Sequence, residues 1–96
     1  MKTVKTRNAS ELAEVLGLTP ADAVEMEIRS DLNVKIIEVV KKKGLTHAQV
    51  AKLANTSRTR VTSLLNRNTH QISTDLMLRI LGALGIHARI KFANAA

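Results

Sequence analysis

From Arg58 to Asn66 the sequence separates into two faces on a helical projection, one polar and one apolar. Arg58, Thr59, Thr62, Ser63 and Asn66 form one stripe, and Val61, Leu64 and Leu65, at i, i+3 and i+4, form the opposite one. A guanidinium, hydroxyls and a carboxamide with no carboxylate among them suit recognition rather than bond breaking. Arginine presents a bidentate donor fork that matches guanine O6 and N7, and hydroxyls and amides serve as donors or acceptors. An ordinary solvated helix face mixes Glu with Lys, and this stretch holds no acid. Arg58, Thr59, Thr62 and Ser63 are therefore the expected readers of base edges in a DNA major groove.

Other chemistry finds little support. His47, His70 and His87 fall on an expected helix start, a loop and a strand, with no carboxylate or second histidine at ligand spacing. The chain has no cysteine, which removes disulfides, thiolate zinc sites and sulfur nucleophiles and fits a reducing compartment. Its glycines, at 17, 44, 82 and 85, form no phosphate-cradling loop, and no Ser or Thr has a base in sequence context. The expectation is a protein that is not an enzyme and that needs no metal or cofactor.

The elements that would position the recognition stripe are legible from their ends. Thr46 and Gln49 form a T-x-x-Q capping box that starts a short helix with Val50, Leu53 and Ala54 as its expected buried side and Ala51 where another helix would cross. Asn55 suits the left-handed stop of that helix, and Ser57 caps the next. Residues 45–67 thus read as two short helices joined by a tight turn. Upstream, Thr19-Pro20 opens a long helix with Asp22 in its first turn and Ile28, Leu32, Ile36 and Val39 as the buried line, widened by Ile37 and Val40. Lys41, Lys42 and Lys43 precede the Gly44 stop. A shorter helix capped by Asn8 or Ser10, with Leu12, Val15 and Leu16 apolar and Gly17 closing it, is expected before that. Residues 1–8 are basic and polar, the composition of a flexible arm.

Downstream, residues 68–72 read as a polar loop, and Ser73 caps a last helix with Asp75 in its first turn and Leu76, Ile80, Leu81 and Leu84 inward. Gly85 ends it. From residue 86 to 92 the pattern changes to period two, with Ile86, Ala88, Ile90 and Phe92 on one side and His87, Arg89 and Lys91 on the other, as in a half-buried strand. The chain offers no second strand. A lone strand leaves unpaired backbone groups, so this one is expected to pair with the same strand of a second copy about a two-fold axis, or with a strand of another protein.

Ninety-six residues with a single aromatic, Phe92, bound the answer to one domain, 9–96, with an aliphatic core. That composition disfavours modules that stack single-stranded bases on aromatic platforms. The formal charge of +7 is unevenly spread: residues 1–40 carry five Lys/Arg against seven Asp/Glu, and residues 41–96 carry ten against one. A polyanion-binding face backed by an acidic or neutral one is expected. No stretch has the length of a membrane span or the form of a signal peptide, and a cytoplasmic location with no membrane partner is expected.

The motif LTHAQVAKLANTSRTRVTSLLNR, continued by ISTDLMLRILGALGIHARI, resembles the Xre/lambda-repressor-like helix-turn-helix regulators, and within them the small HigA-type antitoxins, over about residues 12–92. Thr46, Ala48, Ala51, Leu53, Arg60, Val61, Leu64, Leu65, Ser73, Asp75, Leu81, Leu84 and Gly85 match as they stand. His47 replaces a phosphate-contacting glutamine, Asn55 the turn glycine, and Arg67 a second glycine. The resemblance implies an all-α, five-helix domain with a C-terminal strand used in dimerisation through Ile86, Ala88, Ile90 and Phe92. His47, Gln49, Lys52, Arg60, Asn66, Arg67 and Asn68 would hold phosphates. A homodimer on an inverted-repeat operator is implied, acting as a transcriptional repressor. The acidic residues Glu25, Glu27 and Asp31 are either a solvated face or, as the antitoxin likeness implies, a surface for a basic toxin. A stand-alone Xre-type regulator, or a toxin-neutralising module that does not bind DNA, are the alternatives.

Overall fold

The computed structural model describes residue 17 and residues 19–94. The arm expected over 1–8 and the first helix expected after it lie outside the described residues. Within them are four helices: α1 (Pro20–Lys43), α2 (His47–Ala54), α3 (Arg58–Leu65) and α4 (Thr74–Ala83).

Local hydrogen bonds explain where each helix starts. At α1 the Thr19 hydroxyl accepts from the Asp22 amide at 3.1 Å, and the Asp22 carboxylate accepts from the Thr19 amide at 3.0 Å and from its hydroxyl at 2.8 Å. These bonds, the backbone one foremost, hold the Asp22 carboxyl below its ordinary pKa. Thr46 and Gln49 repeat the box at α2, with bonds of 3.1 and 2.8 Å. Ser57 and Ser73 accept from the amides of Arg60 and Leu76 to start α3 and α4. The stops are equally local. Gly44 at φ 64 and Asn55 at φ 54 end α1 and α2 in the left-handed region, where a glycine or an asparagine is tolerated best.

The core is aliphatic, and α1 is its scaffold. Leu32, Ile36, Val39 and Val40 pack with Val50 and Ala51 of α2, Val61 and Leu64 of α3, and Leu76, Met77, Ile80, Leu81 and Leu84 of and just beyond α4. Burying side chains of this size stabilises the fold by about 1.5–3 kcal/mol each before entropy is counted. Two inward assignments are corrected. Ile28 is 40% exposed, because the inward side of the first half of α1 runs through the buried Ala23 and the half-buried Met26 and Arg29, and Ile28 lies about 100° of helix from Arg29. Leu53 is 54% exposed, since the inward face of α2 is centred between Val50 and Ala51 with Ala54, leaving Leu53 on the flank. The loop at 68–72, read as polar, buries Ile72, and Met77 joins the core unforeseen.

Beyond α4, residues 86–94 carry no regular secondary structure, and no strand occurs among the described residues. Ile86 packs against the core, whereas Ala88, Ile90 and Phe92 are exposed, Phe92 to 89%. The physical reason is the one that isolates the segment in the sequence: a ladder needs a partner strand, and the described residues do not supply one. No helix among the described residues is long and apolar enough to cross a membrane.

Candidate nucleic-acid interface

α2 and α3 present their polar sides together, and neither contains an acidic residue. Arg58, Thr59 and Arg60, in the first turn of α3, are exposed, and Thr62 and Ser63 are half-buried further along. Asn66, Arg67 and Asn68 follow, all exposed. From α2 come the half-buried His47 and the exposed Gln49 and Lys52. Most acids of the described chain, Asp22, Glu25, Glu27 and Asp31, lie in the first half of α1. The outer side of the two-helix unit is therefore cationic and rich in hydroxyls, a surface that attracts a polyanion.

The structure divides the sequence-derived set. His47 Nδ1 lies 2.8 Å from the Thr62 hydroxyl, a bond that ties the start of α2 to the middle of α3. Thr62, expected among the base readers, thus has its hydroxyl oriented by a neighbour with further bonding capacity left to it, and it also carries a methyl group suited to apolar contact such as a thymine methyl takes. Gln49 is likewise partly committed, because its Oε1 accepts from the Thr46 amide. On the other side, Thr59, Arg60 and Ser63 share a groove of about 460 Å³ with Ser57, Asn68, His70, Gln71 and Ile72. Arg58, Asn66, Arg67 and Lys52 do not line it.

Two supporting residues were not foreseen in the sequence. Asn33 of α1, 3% exposed, donates from Nδ2 to the Leu64 carbonyl at 2.8 Å, at the end of α3. Arg29, one turn earlier, reaches the loop that follows α3. Its Nη1 donates to the Thr74 hydroxyl at 3.0 Å and its Nη2 donates to the carbonyls of Thr69 and Ile72. Signals existed for both: Asn33 adjoins Leu32 on the buried line, and Arg29 is the lone cation between Thr19 and Val34. Elsewhere, Lys43 Nζ donates to the Leu84 carbonyl at 2.8 Å, so this lysine of the basic run closes the end of α4. The exposed pair Lys35–Glu38, 3.5 Å apart, contributes little.

Arg67 has φ 62, a left-handed conformation that costs a non-glycine residue about 1–3 kcal/mol. It turns the chain from α3 into the loop immediately beside the recognition face. Among the described residues no group of His, Asp and Glu is placed to hold a metal ion.

Two short helices joined through Asn55, braced by a longer one and carrying an acid-free outer face, define a helix-turn-helix, a class of DNA-binding domain. A family model described as a helix-turn-helix domain matches residues 15–93, and the chain belongs to that family. No curated protein and no solved structure matches it.

Proposed function

We propose that this chain is a sequence-specific, double-stranded DNA-binding transcriptional repressor, working as a homodimer on an inverted repeat, and that it is the antitoxin of a toxin–antitoxin operon which it represses. The observation that carries the reading is the outer face of α3, where Arg58, Thr59, Thr62 and Ser63 stand without a carboxylate among them. Arg58, Thr59, Thr62 and Ser63 read base edges, Thr62 with its hydroxyl oriented by His47. His47, Arg60, Asn66, Arg67 and Asn68 hold phosphates, with Gln49 and Lys52 at the margin.

Dimerisation is assigned to residues 86–92. Pairing this segment with its copy would satisfy its backbone groups and cover Ile90 and Phe92, which a single chain leaves in water. It would also set two α3 helices in successive major grooves about 34 Å apart. The antitoxin role rests on the likeness of the motif and its continuation to HigA-type proteins, and the acidic first half of α1 offers a basic toxin a place to bind.

Titrating the protein against a labelled duplex from the gene's own upstream region, beside a scrambled duplex, tests the reading. The upstream duplex should bind about 10³-fold more tightly or better. The logarithm of affinity should fall with the logarithm of salt by roughly 0.9 per phosphate neutralised. Equal affinity for both duplexes, or a flat salt profile, would refute DNA recognition. Failure of the neighbouring gene's product to bind the protein would remove the antitoxin role alone.

A further inference from the structure

We infer that Arg29 is a positioning residue for DNA binding: from the acidic half of α1 it clamps the loop after α3 and so sets Arg67 and Asn68 against the phosphate backbone. The inference rests on the DNA-binding reading above. The Thr69 and Ile72 carbonyls both point at the Arg29 guanidinium, and the Thr69 carbonyl also accepts from the Ile72 amide at 2.9 Å, so the turn is closed on itself and on α1. Two carbonyl dipoles converging on one point repel each other unless a cation sits there. A planar guanidinium serves both of them and the Thr74 hydroxyl from two nitrogens of one fixed fork, whereas an ammonium must aim all its donors from a single atom.

The clamp joins the two ends of the loop. Thr69 lies two residues beyond Arg67, and Thr74 is the first residue of α4. Arg67 lines the same depression as Arg29, Asn33 and Thr69, about 220 Å³ in volume. Arg67 thus leaves α3 beside the point that Arg29 holds, and a fixed Thr69 limits where the two residues before it can lie. Ile72 in the core anchors one point of the loop by burial; among the described residues, the hydrogen bond from Arg29 is what holds Thr69 to α1. Arg29 is thus spent on geometry while Arg67 meets the polyanion.

The test uses the full chain and two duplexes, the upstream region and a random sequence, titrated over a range of salt. Arg29→Gln removes the charge and the fork; Arg29→Lys keeps a cation and guards against a variant that fails to fold. Both should weaken binding to the two duplexes by a similar factor, about tenfold, since a phosphate contact carries no sequence information. Both should also lower the salt slope by about 0.9 per protomer, the Arg67 contact. Misfolding would lower the active fraction and leave that slope alone. In the free protein, the amides of Asn68 to Ile72 should exchange hydrogen faster than in the parent, and those of α3 should not. A parental slope in either folded variant, or parental exchange in the loop, overturns the inference. A parent protein with no affinity for either duplex overturns the DNA reading itself, and this one with it.

Discussion

Asn33→Ala removes the one buried polar side chain of the described core, and the structure sets the size of the effect. The lost bond, Nδ2 to the Leu64 carbonyl at 2.8 Å, is worth about 1 kcal/mol net. The Leu64 carbonyl is not orphaned, because the Arg67 amide still donates to it at 3.1 Å, so the full penalty of an unsatisfied buried acceptor is not incurred. The space left by the carboxamide adds about 1 kcal/mol. The sum, about 2 kcal/mol, lowers Tm by roughly 8–16 °C in a domain of this size. Urea unfolding followed by circular dichroism should show the midpoint falling with the slope unchanged. Asn33→Asp is the sharper variant. It faces a carbonyl with a carboxylate, so at pH 7 it should be more destabilising than Asn33→Ala. Burial and the carbonyl raise the folded-state pKa of the introduced group above the ordinary value of about 3.9. The excess penalty is therefore complete above that raised pKa, shrinks as pH falls through it and the protonated group becomes a donor, and is gone below the unfolded value. A loss under about 0.5 kcal/mol for Asn33→Ala, or an Asn33→Asp penalty independent of pH, would refute the role given to this hydrogen bond.

Three other outcomes are expected. Arg58→Ala should cost about 1–3 kcal/mol on the upstream duplex and relax base preference, whereas Arg67→Gly should weaken all sequences alike yet stabilise the free protein by about 0.5–1 kcal/mol by relieving its left-handed backbone, as paired titrations and thermal melts would show. Because the Asp22 carboxyl is held below its ordinary pKa in the folded state, its contribution is complete above the unfolded value and lost as pH falls through the folded one; the difference in urea midpoint between the parent and Asp22→Ala should vanish at low pH. Deleting residues 86–96 should leave a helical monomer by sedimentation, less stable for want of Ile86 and without operator specificity; a truncated protein that remains dimeric would place the interface elsewhere.

Legibility in the sequence followed the range of the interaction. The caps at Thr19, Thr46, Ser57 and Ser73 and the stops at Gly44 and Asn55 are bonds spanning a few residues, so residue type and spacing reveal them directly. The inward faces of α3 and α4 followed for the same reason, since a short amphipathic helix has one apolar side to bury. What could not be read depends on contacts formed only after the chain has folded. Asn33 meets Leu64 across 31 positions and Arg29 meets Thr74 across 45, and these partners turn the first half of α1 so that Ile28 faces water. The bond from His47 to Thr62 crosses the turn in the same way and orients a hydroxyl that a helical projection shows as free. The segment at 86–92 is a different case, because its alternation is that of a strand, and a strand forms only where a partner strand is present, which the described residues do not supply.

The choice of aliphatic side chains for the interior has an optical consequence. With no tryptophan and no tyrosine, the protein has almost no fluorescence of its own, and its single weak chromophore, Phe92, sits on the exposed tail rather than among the helices. An indole introduced by Phe92→Trp would therefore emit against a dark background. Its colour and anisotropy would report on the environment of the tail without interference from the helical body, in a mixture with DNA or with another protein.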